Sequence, residues 1–71
     1  MIQVKRKSKT KFVITVDTDT ILNIVTACWM ARNASRKLAT EETTDTQSSK
    51  YFDQLANDYE AIRDELRKVI E

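Results

Sequence analysis

The sequence contains no glycine, no proline and no histidine, and a single cysteine in 71 residues. Each absence removes a kind of chemistry. Glycine supplies the φ > 0 positions of phosphate-cradling loops, Rossmann turns and two-residue hairpins, so sites built on such loops are not expected. Without histidine, a zinc site of the usual kind is not expected either, and Cys28 has no imidazole to activate it as a nucleophile. One cysteine cannot form a disulfide within the chain. With no secretory segment in view, it points to a reducing, cytoplasmic setting. Long apolar runs are also missing. The two richest stretches, within 12–16 and 21–30, are short and interrupted by polar residues, so no membrane span is expected.

What remains is enough for one domain. A chain of this length buries only about 60% of the surface its unfolded form exposes, so its core is marginal. Without disulfide or metal, regular helix packing and oligomerisation are the remaining sources of stability.

The net charge of +1 hides an asymmetry. Residues 1–40 carry eight cations against two acids, a net of +6, and residues 41–71 carry four cations against nine acids, a net of −5. Either the first half faces an anionic partner or the two halves pair with each other.

Apolar residues alternate at Ile2 and Val4 and again at Phe12, Ile14 and Val16, the period of strands, with β-branched and aromatic types suited to a pleated surface. The polar, basic stretch between them reads as a turn, although it lacks Asn-Gly or Asp-Gly. The alternative is a single strand at 12–16 after a basic tail. Asp17-Thr18-Asp19-Thr20 ends the strand and begins a helix, with Thr18 or Asp19 as the N-cap. In that helix Ile21, Ile24, Cys28, Ala31, Ser35 and Leu38 recur at 3-4-3-4-3 spacing. A polar linker follows, in which Thr44 and Gln47 have capping-box spacing; Ser48 or Ser49 would start the next helix instead. The second helix is the clearest feature of the chain. Phe52, Leu55, Tyr59, Ile62, Leu66 and Val69 form a heptad stripe, and Asp53, Asp58, Glu60, Asp64, Glu65 and Lys68 fill the other face.

Two matched stripes read as an antiparallel helical hairpin. The expected fold is α+β in one domain: an N-terminal β-hairpin or single strand, then a two-helix hairpin, mostly helical and dimeric. The segments are a basic β region at 1–17, a helix at 19–39, a linker at 40–48 and a helix at 49–71. Because an isolated β-hairpin is not stable in water, it is expected to cover a helix face or to pair with a second chain.

The first helix carries more apolar surface than one seam requires. At 100° per residue, Leu22 and Trp29 lie together, away from the Ile24–Cys28–Ala31 stripe. Val25 falls between the two sides, and Met30 opens a further flank. Either the β segment covers Leu22 and Trp29, or they form a patch for a partner, where Trp is a frequent hot spot. Cys28 reads as a small core residue.

Two local resemblances bear on function. Residues 13–20, Val-Ile-Thr-Val-Asp-Thr-Asp-Thr, resemble the start of a haloacid-dehalogenase-type phosphatase. In that family a strand precedes an Asp-x-Asp-x-Thr loop, the first Asp attacks phosphate and the second serves as acid. The rest of the chain departs from that pattern, and helix capping accounts for the same residues. No catalytic or metal-binding residue is therefore assigned, and no cofactor is expected. Residues 9–35 resemble a ribbon–helix–helix DNA-binding protein, in which two chains pair one strand each and the ribbon enters the major groove. That resemblance implies Lys11, Val13 and Thr15 as outward-facing ribbon positions, with Arg32-Asn33-Ala34-Ser35 where the second helix would begin.

The leading expectation is a non-enzymatic binding module, a small regulator or inhibitor that contacts another protein through Leu22, Trp29 and Met30. The acidic face of the second helix would guide the encounter. By size and composition alone, the chain is like small proteins of phages and mobile elements. The alternative is nucleic-acid binding through Lys5, Arg6, Lys7, Lys9 and Lys11, which carry positive charge suited to phosphate. A structural assembly subunit is the third reading.

Overall fold

A computed structural model of the chain describes residues 2–41 and 45–70. Its order is β1 (Ile2–Arg6), β2 (Phe12–Val16), α1 (Thr18–Thr40) and α2 (Thr46–Ile70). This is the expected α+β class, with the hairpin rather than the single strand, followed by a helical hairpin.

β1 and β2 pair antiparallel, Ile2 opposite Val16, Val4 opposite Ile14 and Arg6 opposite Phe12. The turn closes without glycine. The Lys7 and Ser8 amides both donate to the Lys11 carbonyl, at 2.9 and 3.1 Å. The Ser8 hydroxyl oxygen accepts from the Lys11 amide at 3.1 Å, and the Arg6 guanidinium donates to the Lys9 carbonyl at 3.3 Å. A five-residue loop held by a serine side chain avoids the positive φ that a two-residue turn demands. No described residue has φ > 0.

Both helices start on an aspartate within the same local pattern, Asp-Thr-x-Thr/Ser. The N-cap of α1 is Asp17, not Thr18 or Asp19: its carboxylate accepts from the Thr20 amide at 2.8 Å. Asp19 falls in the first turn, where the helix dipole favours an acid. At α2 the Asp45 carboxylate accepts from the Ser48 amide at 2.7 Å, which makes Asp45 the cap in place of Ser48 or Ser49. Thr44, of the expected capping box, lies outside the described residues. Asp45's bond from the Ser48 amide, and then its contact with the Ser48 side chain, hold its carboxyl below the usual 3.8. Lys37 closes α1, and Arg67 and Lys68 close α2, each at the negative end of its dipole.

The helices pack antiparallel through small residues. Cys28, Ser35 and Ala39 of α1 and Ala56 of α2 are buried, and Ala56 is fully covered. Cys28 is a free thiol in this seam. At the closed end the Ser49 hydroxyl donates to the Ala39 carbonyl at 2.6 Å and ties α2 to α1. The larger apolar side chains, among them Ile21, Ile24, Phe52, Leu55, Tyr59, Leu66 and Ile70, are only half-buried.

The seam also differs from the expected stripe in one of its two heptad positions. Ile62 and Val69 were expected in the seam, yet they are exposed, and their places are taken by Arg63 and Ile70. On α1, Ala39 is buried while Leu38 is exposed. The covered positions Phe52, Ala56, Tyr59, Arg63, Leu66 and Ile70 recur at 4-3-4-3-4. This stripe still repeats every seven residues: Phe52, Tyr59 and Leu66 keep their places, while Ala56, Arg63 and Ile70 stand one residue after the expected Leu55, Ile62 and Val69, so the seam is rotated toward the later residue.

The β-hairpin has no extensive packing on either helix. The radius of gyration is 14.7 Å, against about 11 Å for a compact chain of this length. The chain exposes 5810 Å², where a compact monomer of 8.2 kDa exposes about 4,500 Å². No described helix is long and apolar enough to cross a membrane.

Candidate functional site

Trp29 is the single tryptophan, and its surroundings define the most developed surface feature. Residues i and i+3 are neighbours on a helix. Accordingly the Arg32 guanidinium lies over the indole, 4.9 Å from the ring centroid. From α2 the Arg63 guanidinium approaches the same ring at 4.2 Å. Guanidinium groups at these distances are attracted by the ring quadrupole and fix the indole orientation. Val25, Thr26, Trp29, Arg63 and Arg67 line a shallow groove of about 250 Å³ along the α1–α2 boundary. Leu22 stands two turns before Trp29 on the same side of α1. It is 46% exposed, and Trp29 is 39% exposed.

The β segment therefore does not cover Leu22 and Trp29. The hairpin makes no extensive contact with either described helix. Met30 is 66% exposed but sits outside the groove, about 100° around the helix from Trp29. Of the three expected contact residues, the structure brings Leu22 and Trp29 to one stripe and leaves Met30 on the next flank.

The arginines bordering this site were not singled out from sequence. Arg32 had a local signal, its i+3 spacing from Trp29. Arg63 and Arg67 had none, because their approach depends on the register between the two helices.

The acidic face of α2 is reduced by internal pairing. Arg36 donates to Asp53 and to Asn57, each at 3.0 Å, and lies 4.0 Å from Glu60. Arg32 is 3.8 Å from Glu60. Asp53 and Glu60 thus flank the seam rather than face a partner. Asp64 pairs with Arg63 at 3.5 Å and Glu65 with Lys68 at 2.8 Å. Part of the charge asymmetry is met inside the chain in this way.

The remainder lies in the hairpin. Residues 2–16 carry five cations and no acid, and residues 17–71 carry seven cations against eleven acids, a net of −4. Lys5, Arg6, Lys7, Lys9 and Lys11 are all exposed. Arg6 stacks over Phe12, 5.0 Å from the ring centroid. Strand register places Ile2, Val4, Arg6, Phe12, Ile14 and Val16 on one face of the ribbon, and Gln3, Lys5, Val13 and Thr15 on the other. Ile2, Val4, Phe12 and Ile14 are each more than half exposed.

The arrangement departs from ribbon–helix–helix architecture. β2 is paired with β1 of its own chain, and α1 runs unbroken through Arg32-Asn33-Ala34-Ser35. The Asp17 carboxylate, in the position of the phosphatase-like nucleophile, is the cap of α1. No protein-family model, curated protein or solved structure significantly matches this chain.

Proposed function

We propose that this protein is a non-enzymatic binding module that acts as a small regulator or inhibitor by contact with another protein. The observation that carries this reading is the held, solvent-facing Trp29. Two guanidinium groups, one from each helix, lie over its ring beside a groove, with Leu22 on the same stripe. Tryptophan and arginine are the residue types most enriched at interface hot spots. A side chain already ordered in the free protein loses less entropy on binding. The test compares wild-type protein with Trp29→Ala and Leu22→Asp in affinity capture from the native host, followed by the mass and affinity of the complex. A hot-spot role weakens binding by about tenfold or more for Trp29→Ala. Equal affinity for wild type and both variants sinks this reading.

A second reading is favoured by the uncompensated hairpin charge. Lys5, Arg6, Lys7, Lys9 and Lys11 would contact nucleic-acid phosphates without reading bases. Affinity for a duplex oligonucleotide should then fall steeply with added salt, and a Lys7→Glu/Lys9→Glu variant should lose it. Salt-independent or undetectable binding excludes this second reading.

A further inference from the structure

We infer that the partner of the Leu22–Trp29 stripe is the β-hairpin of a second copy of this chain, so that two chains exchange hairpins about a two-fold axis; this rests on the reading of that stripe as a protein-docking face. The ribbon presents Ile2, Val4, Phe12, Ile14 and Val16 on one side, and neither described helix of its own chain packs extensively on it. A two-stranded ribbon is marginal in water unless its apolar side is covered. The stripe on α1 is the complementary case, apolar side chains that no ribbon covers.

Area and charge together select the occupant. The chain exposes 5810 Å², about 1,300 Å² more than a compact monomer of its mass. A dimer interface of ordinary size removes about 800 Å² from each partner. Stacking one ribbon on another would bring two groups of five cations together. Placing each ribbon on the helices of the other chain sets +5 against −4. The two guanidinium groups that lie over the Trp29 ring are already charge-paired. Arg32 and Arg63 already lie against Glu60 and Asp64, whereas the hairpin cations take part in no ion pair among the described residues. A two-fold arrangement uses each surface twice and closes without leaving a free one.

The experiment is sedimentation equilibrium of the full chain over a range of concentrations, with two variants. Val4→Asp/Ile14→Asp alters the ribbon face, and Leu22→Asp/Trp29→Ala alters the helix stripe. Wild type should be a dimer, and each variant alone should dissociate at least tenfold more readily. An equimolar mixture of the two should recover dimer, because one ribbon and one stripe remain intact in the mixed pair. Added salt should weaken the wild-type dimer. Isotope-filtered contacts between Ile14 and the Trp29 ring across chains, measured on wild-type protein, give the same answer should a variant fail to fold. A chain that stays monomeric overturns the inference, and so does a dimer indifferent to both variants or a mixture that recovers nothing. If the chain is monomeric yet captures a foreign protein in a Trp29-dependent manner, only this inference falls and the protein-binding reading stands.

Discussion

Ala56 has no exposed surface, and it sets how closely the two helices approach. There is no space for a larger side chain at that point. Ala56→Leu should therefore lower stability by about 1–3 kcal/mol through overpacking. Urea unfolding should show this as a lower midpoint with an unchanged slope. Asp45 acts at the N-terminal end of the same helix. Its folded-state pKa lies below 3.8 because it accepts the Ser48 amide. A depressed carboxylate contributes stability that is fully present above its unfolded pKa and is lost as pH falls through the folded one. The first turn of α2 should accordingly loosen only below about pH 4, seen as faster amide exchange at Ser48. Asp45→Asn keeps a capping oxygen and should abolish that acid dependence.

Each element shows a different balance between local chemistry and packing. The ends of α1 and α2 are set locally, by Asp17 and Asp45 with their matching downstream Thr20 and Ser48. The middle of each helix is set by the partner helix, which on α2 keeps the seven-residue repeat but covers Ala56, Arg63 and Ile70 where Leu55, Ile62 and Val69 were expected. This distinction is measurable. Leu66 is half-buried while Val69 is 74% exposed. Leu66→Ala should cost about 1–2 kcal/mol, in proportion to its partial burial. Val69→Lys should change stability by no more than about 0.5 kcal/mol. If both substitutions cost the same in urea unfolding, the register expected from sequence, with Val69 in the seam, describes it better than the observed one. The ribbon is different again. Its turn is satisfied by Ser8 and Arg6, but neither described helix packs extensively on its apolar face.

At the scale of the whole molecule, the helical hairpin has a thin core of small residues and the ribbon adds little to it. Such a chain gains stability when a partner covers what it exposes. Trp29 is the sole indole and reports that event directly. On raising protein concentration through the self-association range, its emission should shift to the blue and its quenching by acrylamide should fall. A Val4→Asp/Ile14→Asp variant should show neither change. Thermal midpoints should likewise rise with protein concentration for wild type.

Much of this molecule is written in local sequence. Alternation marks Ile2, Val4, Phe12, Ile14 and Val16 as ribbon positions, and the apolar repeat marks two long helices. The absence of glycine fits a fold with few connections. These features follow from periodicities and turn chemistry that act over a few residues. The N-cap identities were legible only approximately, since Asp17, Thr18 and Asp19 are all good caps, and hydrogen bonding to Thr20 separates them. Three matters were decided by tertiary structure alone. Helix-to-helix register placed Arg63 on Trp29 and turned Ile62 and Val69 outward. Pairing of Arg36 with Asp53 drew part of the acidic face into the seam. The hairpin's failure to fold over α1 left Leu22 and Trp29 uncovered. Each depends on where two distant segments come to lie, which no local period encodes.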